Sequence, residues 1–150
     1  MRSLGFAVLI LAFATLSLSS CFLQPCATSF AGTGQTSKTI TLQPIADAHV
    51  DNSNRTFNFG KNNMLRVENW HLLGTKINAY IMFDLSSIPA DATVNHAELQ
   101  VFCWLTWSET SSISVHQVLD DSWREDEITW NNAPSYFLGA TDVVVVSYDD

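Results

Sequence analysis

The chain has few basic residues and few cysteines. Seven Lys and Arg stand against fifteen Asp and Glu, and the formal net charge at pH 7 is −8. Because nucleic acids and anionic lipids are bound by clustered cations, this charge argues against both as partners. Cys103 is the only cysteine inside the main domain, and we expect it to be a reduced, buried apolar residue. A disulfide from Cys26 to Cys103 is the less favoured alternative.

Catalytic motifs are also missing from the sequence. It contains no nucleophile elbow, no histidine-rich zinc motif and no phosphate-binding loop, and its four histidines are scattered singly. A glycosidase needs two carboxylates across a cleft, and composition alone does not exclude such a pair. We therefore expect no enzyme within these residues, and leave open a catalytic domain further along the same gene product.

A long apolar run occurs only near the N-terminus, from Leu4 to Leu18 after Arg2. It is too short to span a bilayer comfortably and ends in small residues, which is typical of a signal peptide over residues 1–21. Leu18-Ser19-Ser20-Cys21 resembles a lipobox, which would make Cys21 a lipidated N-terminus. The alternative is cleavage after Ala27 or Ala31, with full secretion. Either way we expect an extracellular protein, secreted or anchored at the cell surface.

Residues 22–38 are rich in Ser, Thr and Gly and predict a flexible linker. From residue 39 to 150 the apolar period becomes two, and no helical period appears. This pattern predicts an all-β domain, a sandwich or jelly roll of antiparallel strands. The alternating segments are Thr39–Gln43, Leu65–Glu68, Ala79–Leu85 and Ile113–His116, and we expect each of the first three to form a strand with one buried face. Val143–Val146 predicts a strand covered on both faces.

The segment Val94–Thr106 is the strongest predicted strand. Its odd-numbered residues from Ala97 to Leu105 are apolar and predict a core face. The opposite face carries Phe102 and Trp104 among polar residues. Large aromatics opposite a core face are candidates for a binding surface.

Three segments resemble, in chain order, the landmarks of one extracellular family. They are Ala46–Asn54, Tyr80–Pro89 and Asp120–Pro134. The family is the DNRLRE-domain group, also classed as carbohydrate-binding module family 96, and the resemblance covers about residues 40–140. His49 stands where the family has Tyr, and Met82 where Lys is common. Because family members continue with further strands, we expect the domain of residues 39–150 to be truncated at its C-terminus.

The resemblance implies a non-catalytic module that attaches to polysaccharide. The alternatives are a structural or adhesion module of a cell-surface protein, or the N-terminal module of a larger polysaccharide-degrading enzyme. Trp123 and Trp130 lie in the family motif, and we expect them to pack rather than bind. The candidate carbohydrate-binding residues are Trp104, Phe102, Trp107, Trp70, His71 and Arg66. Of these, we expect Trp107, Trp70 and His71 to lie in loops.

Oxygen ligands gather near the start of the domain. Asp47, Asp51 and Asn52 supply the carboxylate and amide oxygens that Ca²⁺ prefers, and they predict a structural calcium site. Asx residues also stabilise turns, and their spacing here fits no EF-hand. The sequence therefore leaves both a calcium site and a set of turns open for these residues.

Overall fold

The computed structural model describes residues 5–8, 37–70, 72–106 and 110–147, with only the backbone for 5–8 and 147. These residues contain no helix, and hence none that could cross a membrane. The strands are β1 (Gly5–Val8), β2 (Pro44–Asp51), β3 (Glu68–Trp70), β4 (Thr75–Phe83), β5 (Thr110–Gln117) and β6 (Asp142–Ser147). Every strand pair is antiparallel. The predicted all-β class is confirmed.

The strands form a sheet in the order β2-β4-β1-β5-β6, with β3 paired to β4. Opposed residues of an antiparallel pair lie on the same face of the sheet, so the register assigns each side chain to one of the two faces. Ala48 lies opposite Tyr80 and defines face 1, whereas His49 lies opposite Ala79 and defines face 2. β4 is buried on both faces, because Tyr80 and Met82 are covered as well as Ile81. The expectation of a single buried face was wrong for this strand.

The larger core lies on face 1, beneath the segment 118–136. Its buried residues Ala48, Val50, Tyr80, Val118 and Ile128 are packed by Trp123, Trp130, Ala133 and Tyr136. The Tyr80 hydroxyl donates to the Pro134 carbonyl at 3.2 Å. Burial raises the pKa of Tyr80 to about 12, with a smaller contribution from nearby Tyr136. This phenol is therefore a neutral donor that ties the covering segment to the sheet.

The turn after β2 holds the covering segment at the sheet edge. The Asn58 side-chain amide donates to the carbonyls of Glu125 at 2.8 Å and Ile128 at 2.7 Å. The Asn131 N–H donates to the Arg55 carbonyl at 3.2 Å. The Asp47 N–H donates to the Glu125 carboxylate at 3.3 Å. These contacts protect the outer edge of β2, which would otherwise present unpaired backbone groups.

A smaller core lies on face 2. Ile81 is its buried centre, packed by Leu65, Phe83, Leu99, Val101 and Val115. Leu99 and Val101 reach it from the segment 94–106, which is assigned no strand. The prediction of a strand there was wrong for this structure, because β1 fills the ladder position between β4 and β5. The segment keeps only its alternation: Leu99, Val101 and Cys103 are half-buried, and the residues between them are exposed.

Other predicted strands also differ from the observed ones. The predicted strand at Thr39–Gln43 is wrong, because these residues are assigned no strand and β2 begins only at Pro44. β3 begins at Glu68 rather than Leu65. β6 is covered on one face only, since Val143 and Val145 are more than half exposed. Their neighbours across the ladder on face 1 are Ser114 and Ser112, which offer little apolar surface to bury against.

Candidate functional site

The most exposed aromatic side chains lie on the segment 94–106. Phe102 is 88 % exposed and Trp104 is 70 % exposed. Leu99 and Val101 of the same segment turn the other way, onto the Ile81 core. Between the two aromatics, Cys103 is a half-buried free thiol. The alternation inferred from sequence therefore turns both aromatics away from the core.

Two further candidates lie on or beside β3. Trp70 is 52 % exposed and is the last residue of β3, opposite Thr75 of β4, so the expectation that it lies in a loop was wrong. Arg66 is exposed and donates to the Glu68 carboxylate at 3.2 Å. In this exposed ion pair the Glu68 carboxylate offsets the positive charge of Arg66. Trp107 and His71, also predicted to bind, lie outside the described residues.

The three predicted calcium ligands do not share one site. Asp47 and Asp51 point from the same face of β2 but are about 13 Å apart, because a strand rises about 3.3 Å per residue. The Asn52 oxygen accepts from the Lys76 N–H at 2.8 Å, and its amide donates to the Gly74 carbonyl at 2.8 Å. Within the described ranges, no group of three or more His, Cys, Asp or Glu is placed to hold a metal. Calcium binding remains a prediction.

Asp51 itself closes a turn. Its carboxylate accepts from the Ser53 N–H at 2.7 Å and from the Asn54 amide at 2.8 Å. Burial raises the pKa of Asp51, but the hydrogen bonds from Asn54 and Ser53 outweigh it, and the net pKa lies below its usual value. Asp47 differs, since burial and the neighbouring Glu125 carboxylate raise its pKa. The Asx-turn interpretation thus describes the geometry of Asp51.

His49 is a buried polar residue on face 2. Its ring is 1 % exposed and stacks on Phe59 with centroids 4.5 Å apart. Its Nδ1 has no hydrogen-bond partner among the described atoms. Burial and then the Arg66 charge lower the pKa of His49, while Asp51 opposes them. The ring is therefore neutral near pH 7 and acts as a core residue.

Comparison with known proteins places these residues in a family. The family model for Carbohydrate-binding module family 96 matches residues 38–147. This chain belongs to carbohydrate-binding module family 96. No curated protein and no solved structure matches it. The suspected resemblance is confirmed, and with it a carbohydrate-binding class of domain.

In this family 96 module, the landmark segments serve mainly the fold. Trp123 and Trp130 are half-buried against the face 1 core, as expected. The Trp123 ring meets Tyr80 edge-on, with centroids 6.0 Å apart. Both tryptophans therefore contribute to the core.

We did not predict from the sequence that part of face 1 is uncovered. We call this part, formed by Ser112, Ser114, Val143 and Val145, the open half of face 1. Ser112 and Ser114 of β5 lie beside Val145 and Val143 of β6 on this face, and no described segment covers the valines. The signal was present in the alternation of serine with Ile113 and Val115. A strand with hydroxyls on one face and apolar residues on the other has one face that does not join the core.

Proposed function

We propose that this family 96 module is an extracellular, non-catalytic domain that attaches to neutral polysaccharide through a shallow surface centred on Trp104. The observation that carries the proposal is the exposure of Trp104 and Phe102 in a chain whose family binds carbohydrate. A flat aromatic ring suits the C–H face of a pyranose, and Trp adds an N–H donor. Such rings also lose little conformational entropy on binding.

Charge argues for a neutral glycan. At a net charge of −8 the chain repels a polyanion at long range. Arg66, the cationic candidate, already pairs with Glu68. An acidic glycan such as alginate would need a local cation such as Arg55, Lys61 or bound Ca²⁺ to offset this repulsion.

Affinity electrophoresis against a panel of neutral and acidic polysaccharides tests the proposal. Truncating an aromatic at a binding hot spot costs about 2 kcal/mol or more, which is roughly a thirtyfold loss of affinity. We expect Trp104→Ala to lose binding by this order while the melting temperature stays within a few degrees. Leu138→Ala removes another largely exposed apolar side chain outside the candidate set and serves as the matched control. Absence of retardation by every glycan would refute the function.

Export is part of the same proposal. The apolar run from Leu4 and the Leu18-Ser19-Ser20-Cys21 sequence support removal of the leader and lipidation of Cys21. Mass spectrometry of the mature N-terminus tests this, with a diacylated Cys21 as the expected result. An unmodified terminus at Thr28 or Gly32 would retain secretion and refute the anchor.

An adhesion or spacer role is the second candidate. Leu72 and Leu73, at the turn between β3 and β4, are both largely exposed. Aliphatic side chains offer a sugar no aromatic face and suit a protein contact better. Under this alternative, Leu72→Ser would weaken a protein contact, and Trp104→Ala would leave every measured interaction unchanged.

A further inference from the structure

The strand β1 fills a gap that another segment of the chain fits. In the sheet register, Phe6 lies opposite both Ile81 of β4 and Gln117 of β5. β1 is antiparallel to both strands, so β4 and β5 run parallel with one strand between them. Residues 5–8 lie within the leader that we propose is removed on export. Its removal would leave two facing sheet edges unpaired.

The segment 94–106 has the connectivity that this gap requires. It lies between β4 and β5 in the sequence, so a strand antiparallel to both would form a simple meander. Its burial alternates from Leu99 to Trp104, the period of a strand. Leu99 and Val101 already pack in the Ile81 core, which includes Val115 of β5. These two residues therefore already contact the core that the replacement strand would join.

The existing ladders restrict the register. Ile77 pairs with Asp51 on one edge of β4, so its pairing with Glu68 of β3 must use the other edge, where β1 also pairs. Residues 75–77 of that edge are therefore taken, and the edge is free only from Asn78 onward. The half-buried residues of the segment must lie on face 2 with Ile81. Placing Val101 opposite Ile81 satisfies both conditions.

In this register the second ladder follows from the first. Because β1 couples Ile81 to Gln117, Val101 lies opposite Gln117 and Cys103 lies opposite Val115. Cys103 also lies opposite Ala79, between two apolar neighbours on face 2. Its thiol would be buried there, as the sequence predicts.

We propose that in the exported protein residues 94–106 replace β1 as the central strand, which places Trp104 on the open half of face 1 as the centre of a glycan-binding row. The row runs from Asn78 through Trp104 and Ser114 to Val143, about 14 Å at the usual strand spacing. An aromatic ring flanked by an amide and a hydroxyl suits stacking on one sugar and hydrogen bonding to its hydroxyls. This site rests on the proposed function.

The hydroxyl of Ser114 is already oriented for this role. His116 Nδ1 lies 2.9 Å from the Phe137 carbonyl oxygen, which can only accept, so Nδ1 carries the proton. In the neutral ring, Nε2 then accepts from the Ser114 hydroxyl at 2.8 Å. The Ser114 oxygen keeps lone pairs that can accept a hydrogen bond from a sugar hydroxyl.

Phe102 receives a different role from Trp104. In the same register it lies on face 1 between Tyr80 and His116, where the His116 ring packs against Tyr136 of the covering segment at 5.2 Å. Phe102 becomes a core residue, although it is 88 % exposed in the sheet that contains β1. Phe102 and Trp104 are both largely exposed in the sheet that contains β1, but after the replacement their substitutions should have different effects.

Amide hydrogen exchange tests the strand replacement. The full chain carries Cys21→Ser and Cys26→Ser, so that Cys103 is the only thiol, and is compared with the same chain bearing Ala7→Pro. Proline removes a ladder donor from β1. Leu16→Pro, in the leader but outside β1, is the matched control. We expect Ala7→Pro to slow exchange at residues 99–104 and maleimide labelling of Cys103 by about tenfold or more, and the naturally processed protein to slow exchange at the same residues. Unchanged rates in both would overturn the inference.

Three substitutions in the processed protein give a second measurement. Phe102→Ala should lower the melting temperature by roughly 10 °C or more, because it removes a core aromatic. Trp104→Ala and Ser114→Ala should leave the melting temperature within a few degrees and weaken glycan retardation. In the uncleaved chain Phe102→Ala should have no effect on melting. Equal, small effects of Phe102→Ala in both forms would overturn the inference.

The two proposals fail in different ways. Protected amides at 99–104 with no retardation by any glycan would support the strand replacement and refute the glycan function. Glycan retardation that depends on Trp104 equally in the uncleaved and processed chains, with fast exchange in both, would support the function and overturn the replacement.

Discussion

Substitution of Gly60 tests whether the two loops at the β2 edge dock as tightly as their contacts indicate. Gly60 is buried, and its N–H donates to the Asn58 side-chain oxygen at 3.2 Å. A Cβ here would collide with the Glu125 carbonyl oxygen, and would meet the carbonyl carbon of Glu125 at 2.7 Å and its Cγ at 2.9 Å. Carbon atoms prefer about 3.5–4.0 Å. The backbones of the two loops must therefore separate by about 1 Å to admit a methyl group.

The cost has two parts. Overpacking against backbone costs about 1–3 kcal/mol. The separation also stretches the two hydrogen bonds from Asn58 to the Glu125 and Ile128 carbonyls, each worth about 1 kcal/mol. We expect Gly60→Ala to lower the free energy of unfolding by about 3 kcal/mol. For a domain of this size that is a melting temperature lower by roughly 12 °C.

Two other glycines serve as controls, because an added Cβ would be opposed there by backbone conformation or by a movable side chain rather than by backbone atoms. At Gly74 a Cβ would meet nothing within 4 Å, but φ is +67°, so Gly74→Ala should cost about 1–2 kcal/mol of backbone strain. At Gly139 a Cβ would meet Phe137 Cε1 at 2.8 Å, an exposed ring that can turn away, so Gly139→Ala should be nearly neutral. Thermal unfolding followed by circular dichroism measures all three. A Gly60→Ala melting temperature within about 2 °C of the parent would refute the docking argument.

Four further outcomes are expected. Asn58→Ala should destabilise by about 1–3 kcal/mol for each carbonyl it leaves unpaired in denaturant unfolding, whereas Asn58→Asp should not rescue because it lacks the amide donor. The pKa of His49 is lower in the folded than in the unfolded protein. The stability that depends on neutral His49 is therefore fully present above about pH 6.5 and is lost as the pH falls below it, by up to about 1.4 kcal/mol per pH unit. His49→Phe should abolish this dependence of stability on pH between pH 7 and 5. The raised pKa of Asp47 acts oppositely at lower pH, and Asp47→Asn should remove the gain in stability on acidification that it contributes. Added Ca²⁺ should raise the melting temperature if the calcium prediction holds, and no shift between Ca²⁺ and chelator would refute it.

The sequence by itself determined the class of the domain and the direction of many side chains. Period-two alternation places neighbouring residues on opposite faces of a strand. The registers of β4, β5 and β6 follow it, whereas β2 departs from it at the irregularity between Pro44 and Ala46. The landmark segments were also sufficient to suggest the family, since turn and core residues such as Asn58 and Trp123 recur in a fixed order. Exposure of Phe102 and Trp104 followed from the same alternation.

Only the tertiary structure decided which strands meet. Alternation does not identify a ladder partner, so the sequence could not reveal that β1 occupies the place between β4 and β5 while 94–106 lies beside the sheet. Nor could it distinguish ligand from turn among Asp47, Asp51 and Asn52, because the same oxygens serve either purpose and only distance separates them. The burial of Tyr80 and the exposure of Val145 have the same cause. A residue's face is local, but what covers that face comes from chain segments far away in the sequence.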